Sequence, residues 1–116
     1  MKSVKTYTAT IYVGLQEGYE GLTHTYNEAR NLLQEYCNEN KLCVSFKKID
    51  FIYPNGKENG IEIGLINYPR FPFKNHNQEL HEISIKIAKM LMKNFKQKRC
   101  SIVFDDETIM LEKEDL

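Results

Sequence analysis

Residues 6–15, Thr6-Tyr7-Thr8-Ala9-Thr10-Ile11-Tyr12-Val13-Gly14-Leu15, decide the fold. Tyr7, Ala9, Ile11, Val13 and Leu15 share one parity, while Thr6, Thr8, Thr10, Tyr12 and Gly14 share the other. A period of two in aromatic and β-branched residues predicts a strand with one buried face. The next segment, Gln16 to Leu22, carries Gly18 and Gly21 and reads as a loop. Thr25-Tyr26-Asn27-Glu28 then has the form of a capping box, which opens a helix. Its stripe of Tyr26, Ala29, Leu32, Leu33, Tyr36 and Cys37 steps by three and four residues, so one face is buried.

Cys43 to Tyr53 is expected as a second strand whose parity slips between Phe46 and Ile49, and a bulge near Lys47-Lys48 would bring both halves to the core. Pro54-Asn55-Gly56 is a turn, with Lys57 to Gly60 continuing it as loop, and Ile61 to Tyr68 is the third strand. Pro69-Arg70-Phe71-Pro72-Phe73 is a stiff connector, because each proline removes an amide donor and restrains its predecessor. Asn75 or Asn77 caps a second helix with Leu80, Ile83, Ile87, Leu91 and Phe95 on its buried side. Short strands at Cys100–Phe104 and Thr108–Leu111 flank Asp105-Asp106-Glu107, and 112–116 is a charged tail.

The order β-α-β-β-α-β, with an added C-terminal hairpin strand, is that of a ferredoxin-like α+β domain spanning 1–116. Right-handed crossovers put both helices on one face of an antiparallel sheet. The opposite face then carries Thr8, Thr10, Tyr12 and Gly14 from the first strand and Glu62, Gly64, Ile66 and Tyr68 from the third. Too polar for a core and too apolar for plain surface, it is expected to recruit a second copy of the chain or a ligand.

Composition narrows the function. The 116 residues are 41% hydrophobic and 28% charged, and sixteen basic residues balance sixteen acidic ones, which disfavours general nucleic-acid binding. The absence of a stretch approaching about 20 apolar residues, and of a secretory h-region, implies a cytoplasmic protein. Cys37, Cys43 and Cys100 form neither a CxxC nor an even set, so buried, reduced thiols are expected. His76 and His81 are five apart, off the spacing that a shared metal ion prefers, and surface histidines are the simpler reading of His24, His76 and His81. No nucleophile elbow occurs, and neither phosphate-loop motif is present. Gly14, Gly18 and Gly21 follow a strand and precede a helix, yet Glu17 and Glu20 suit a flexible turn better than an anion cradle. Asp105-Asp106-Glu107 reads as a turn rather than a magnesium site. Tyr12 and Tyr68 resemble the stacking aromatics of an RNA-binding sheet, but the accompanying signature is missing.

Gly64-Leu65-Ile66-Asn67-Tyr68-Pro69-Arg70-Phe71-Pro72 departs from what packing alone selects. Arg70 stands between two prolines and beside Tyr68 and Phe71, so its guanidinium loses little entropy on meeting a carboxylate, a phosphate or a nucleobase. A rigid linker whose Arg caps an element is the alternative.

The strings at 9–15, 64–72 and 106–111 (ATIYVGL, GLINYPRFP, DETIML) together resemble a family of small proteins encoded by phages and prophages. That resemblance brings no catalytic residues. It implies an accessory or anti-defence factor working by binding, in the cytoplasm of an infected or lysogenic host.

The sequence alone therefore leads us to expect a non-catalytic binding protein that takes up a small, nucleotide-like anionic ligand. The expected ligand contacts are Arg70, Tyr68, Phe71, Tyr12 and Asn67, with no cofactor and no metal, in a homodimer or higher oligomer. Two alternatives stay open: a module that docks and inhibits a host protein, and a small enzyme with an interfacial active site.

Overall fold

In the computed structural model, which describes residues 1–18, 21–74 and 76–116 and only the backbone of His76, the element order is the one expected. β1 (Thr8–Gly14), α1 (Tyr26–Asn40), β2 (Ser45–Tyr53), β3 (Gly56–Ile66), α2 (His76–Phe95), β4 (Arg99–Phe104) and β5 (Thr108–Glu112) follow in turn. A short 3-10 turn over Lys113–Asp115 takes up most of the charged tail. The strands form one sheet ordered β2-β3-β1-β4-β5, antiparallel at each of the four pairings. This is the ferredoxin-like α+β arrangement with β5 added at the β4 edge.

One hydrophobic cluster holds the layers together. Ala9, Ile11 and Val13 of β1 meet Ile61, Ile63 and Leu65 of β3, Ile102 and Phe104 of β4, Ala29 and Leu33 of α1, and Leu80, Ile87, Leu91 and Phe95 of α2. Because all these strand residues are on the helix-covered side, both helices share one face, as the crossover rule requires. Truncating one of the fully buried aliphatics typically costs about 2–5 kcal/mol.

Local chemistry sets the element ends. Thr25 caps α1, its hydroxyl accepting from the Glu28 amide at 3.1 Å; the Glu28 carboxylate turns instead to His24, so only half of the expected capping box forms. Lys41 ends α1 in the left-handed region at φ 53°. Asn75 lies outside the described residues, and Asn77 is the second residue of α2 rather than its cap.

Three expectations are corrected. The β2–β3 ladder is unbroken from Ser45↔Gly64 to Tyr53↔Gly56, with no bulge at Lys47-Lys48. The parity slip is therefore real: Val44 and Phe46 pack towards the helices, whereas Ile49, Phe51 and Tyr53 lie on the open face. β3 begins at Gly56 rather than Ile61, since Pro54 and Asn55 (φ 63°) close a tight two-residue hairpin loop, the pairing that suits proline followed by a residue at positive φ. β3 also stops at Ile66, so Tyr68 belongs to the turn that follows.

Candidate functional site

Two regions combine exposed polar groups with concave surface, and they lie on opposite sides of the sheet.

The first is on the helix side and holds four of the residues singled out from the sequence. Tyr68, Pro69, Arg70 and Phe71 form a turn in which the Phe71 amide donates to the Tyr68 carbonyl at 3.0 Å. Phe71 borders two clefts, of about 330 Å³ against α1 and Cys43 and about 480 Å³ against Lys41, Glu82 and Lys86. Arg70 is exposed and lines neither; its guanidinium stands 5.7 Å from the Phe71 ring centroid. The Asn67 side chain ties backbone together, with Nδ2 donating to the Lys5 carbonyl at 2.8 Å and Oδ1 accepting from the Phe73 amide at 2.9 Å. Tyr68 is half-buried, and burial foremost, with Cys43 beside it, raises its pKa. Cys43 is exposed, Cys37 intermediate and Cys100 buried, so the expectation of three buried thiols holds for one of them.

The second region is the open face. Tyr12 is on this side, directly across from Glu62 in the β1–β3 register, and is not brought to Arg70, Tyr68 or Phe71. The Tyr12 hydroxyl is within hydrogen-bonding reach of the Glu62 carboxylate, and burial together with that neighbour raises the phenol pKa, so it stays protonated and donates. On the other side of Glu62, Lys47 Nζ approaches to 3.5 Å from an exposed position. A carboxylate held between a phenol and an ammonium is thus fixed in the middle of the sheet.

One step along the strands, Gly14 and Gly60 face each other. Gly60 is closed to a side chain by a ring and a backbone carbonyl, whereas Gly14 meets only the ends of two polar side chains. A Cβ on Gly60 would come within 2.2 Å of the Phe51 ring and 3.0 Å of the Val13 carbonyl, and one on Gly14 within 2.8 Å of Gln97 Oε1 and 2.9 Å of Glu58 Oε2. This bare floor leads to a cleft of about 290 Å³ bordered by Glu58, Tyr53, Gln97, Lys98 and Arg99. Burial pushes the Glu58 carboxyl above its usual range. The face therefore offers two carboxylates, Glu62 and Glu58, four residues apart on one strand, or about 13 Å along it, with aromatic rings at Tyr12, Phe51 and Tyr53.

Beyond these regions, His24 departs from the expected surface histidine. Its ring nitrogens contact Glu28 Oε2 at 2.8 Å and Glu17 Oε1 at 3.0 Å, and the ring packs on Phe95. Asp105 also has a structural task, accepting from the backbone amide and hydroxyl of Thr8. No group of three metal-ligating side chains occurs among the described residues, and none of the described helices is long and apolar enough to cross a membrane.

In the sequence Glu62 stands out only as one polar residue of the open face, and nothing singles out Glu58 or Gln97. Their convergence rests on strand register, for which no local signal exists. The shared parity of Gly14 with Tyr12, and of Gly60 with Glu62, was the available clue.

A sheet of this topology with a polar, carboxylate-bearing open face is a scaffold for small-ligand chemistry as readily as for docking. No protein-family model matches the sequence, and no curated protein is similar to it. Solved structures do match. A phage SAM lyase in its apo state superposes with a TM-score of 0.76 at 19% identity, covering 93% of this chain and 90% of that one. A phage SAM lyase in complex with S-methyl-5'-thioadenosine gives a TM-score of 0.74 at 15% identity, covering 98% and 95%. At these identities the likeness establishes the fold. It also counts against the expectation of a non-catalytic binding protein, because both matched structures are of phage SAM lyases, which are enzymes.

Proposed function

We propose that the chain is a lyase acting on S-adenosylmethionine or a closely related sulfonium nucleoside, with its site on the open face of the sheet. The observation that carries this reading is the near-complete structural correspondence with phage SAM lyases, apo and product-bound, together with a fixed carboxylate at the centre of the face they share.

The chemistry sets modest demands. Release of methylthioadenosine breaks the bond between sulfur and the γ-carbon of the amino-acid chain, and the electron pair returns to sulfur. The γ-carbon is then satisfied either by attack of the substrate's own carboxylate, which closes a lactone, or by a double bond to the β-carbon, whose proton passes to a carboxylate of the open face acting as base. No water, metal or redox partner enters the balance. Positive charge disappears from sulfur during the reaction, so a carboxylate beside it favours the bound substrate over the transition state. Glu62, oriented by Tyr12 and Lys47, accordingly serves to capture the sulfonium. Rate comes from holding the four-carbon chain in the reactive geometry, where positioning alone can supply several kcal/mol.

The resemblance to phage-encoded proteins fits this reading, with removal of a host nucleoside as the accessory task. Ile66 (40% exposed), Val103 (38%) and Met110 (53%) form the apolar part of the open face. A second copy packed there would shield the site from water, and light scattering on the purified protein tests this: a monomer at micromolar concentration counts against it. Incubation with S-adenosylmethionine, followed by chromatography and mass spectrometry, tests the activity itself. Release of methylthioadenosine above the uncatalysed background is expected; an unchanged substrate rules the lyase out.

A further inference from the structure

Glu58 and Gln97 reach the same place from distant parts of the chain. Gln97 follows α2, and its side-chain amide is held by two carbonyls: Nε2 donates to Gln16 at 2.8 Å and to Phe95 at 3.1 Å. With the nitrogen so committed, Oε1 is turned towards Gly14. Glu58 arrives from β3, and Gln97 Oε1 and Glu58 Oε2 lie 2.8 and 2.9 Å from the position that a Cβ on Gly14 would occupy. Two acceptors are therefore aimed at one point, and among the described residues nothing donates to the Glu58 carboxylate. Facing acceptors repel unless a proton or a donor group lies between them. Burial, which raises the Glu58 pKa, further disfavours an unpaired charge there.

The rim of the cleft has the opposite character. Lys98 and Arg99 border it, and extending the β1–β4 register by two residues from Tyr12↔Ser101 places Arg99 beside Gly14. Acceptors at the floor and cations at the rim match a zwitterion: an ammonium pointing in and a carboxylate pointing out.

We infer that the cleft over Gly14 is the pocket for the α-amino-acid end of the ligand, with Glu58 and Gln97 receiving the ammonium and Arg99, aided by Lys98, the carboxylate. The assignment rests on the lyase reading and deepens it. The Gly14–Gly60 row is two residues from the Tyr12–Glu62 row, about 7 Å, a separation that the side chains close to the three-bond path between sulfur and the α-carbon. It also follows that methylthioadenosine, which lacks the amino-acid end, leaves this pocket empty.

Calorimetry with S-adenosylhomocysteine and methylthioadenosine, which differ at that end, tests the pocket in wild type, Glu58→Gln and Gly14→Ala. The wild type should bind S-adenosylhomocysteine the more tightly, by tenfold or more, roughly what a charge-assisted hydrogen bond contributes. Glu58→Gln should lose most of that preference while holding methylthioadenosine as before. Gly14→Ala, which fills the ammonium position, should lose it too, with circular dichroism confirming the fold. Equal affinities in the wild type, or equal weakening of both ligands in Glu58→Gln, would overturn the pocket and leave the lyase reading standing. Binding of neither ligand to the wild type would overturn both.

Discussion

Tyr12 stands directly across from Glu62 in the β1–β3 ladder, on the face of the sheet that the helices leave open. The phenol, its pKa raised by burial and by that carboxylate, is a permanent donor at neutral pH. It fixes Glu62 from one side, while the Lys47 ammonium, 3.5 Å away on the other, is mostly exposed. Tyr12→Phe removes the donor and keeps the ring. The expected result is a fall of about tenfold in kcat/KM, in line with loss of a hydrogen bond to a charged group, with thermal stability changed little.

Glycine replacements should separate by position rather than by residue type. A Cβ at Gly60 meets the Phe51 ring and a backbone carbonyl, whereas one at Gly64 meets chiefly the Ser45 hydroxyl, the end of a side chain that can rotate away. Gly60→Ala should cost about 1–3 kcal/mol, the usual penalty for overpacking. Gly64→Ala should be close to neutral, and urea titration of the two variants compares them directly.

His24 ties the loop after β1 to the start of α1 through Glu17 and Glu28. Burial alone would lower its pKa, but hydrogen bonds and charge from Glu28 and then Glu17 outweigh it and raise the pKa above 6.5. A histidine with a raised folded pKa contributes stability fully below the unfolded value and loses it as pH climbs through the folded one. The melting temperature should therefore decline above about pH 6.5, and His24→Gln should flatten that decline. An unchanged slope in the variant would reject the clamp.

The sequence shows some of this and conceals the rest for identifiable reasons. Period-two patterning in β1 and the three-four stripes of both helices are local consequences of burial, so they could be read residue by residue. The β2 parity slip was legible too, but was assigned to a bulge on the premise that Ile49 and Phe51 must reach the core. They cover the open face instead, with the Phe51 ring over Gly60. In the sequence Gly60 reads as a loop residue because glycine usually punctuates turns, whereas here it makes room for a ring. Arg70 drew attention through its flanking prolines, yet it is exposed and lines neither cleft beside Phe71. Glu58 and Gln97, 39 positions apart, meet only through sheet register and the end of α2.

Thiol reactivity offers a simple check on the packing. Burial raises Cys100 to a pKa of about 12, and it raises Cys37 to a lesser extent, with Cys43 nearby adding to the effect. Since the thiolate is the reactive form, labelling of the native protein at pH 8 should proceed at exposed Cys43 first, then Cys37. Cys100 should react only on unfolding, and mass spectrometry of peptides after timed quenching gives the order.

The most direct test of the account is the rate of methylthioadenosine release from S-adenosylmethionine by the wild type and by Glu62→Gln. If Glu62 captures the sulfonium, the wild type turns the substrate over, and the variant loses about a hundredfold in kcat/KM, carried by a raised KM with kcat no lower than that of the wild type. A variant as efficient as the wild type, or a wild type that releases nothing, would contradict the assignment of catalysis to the open face.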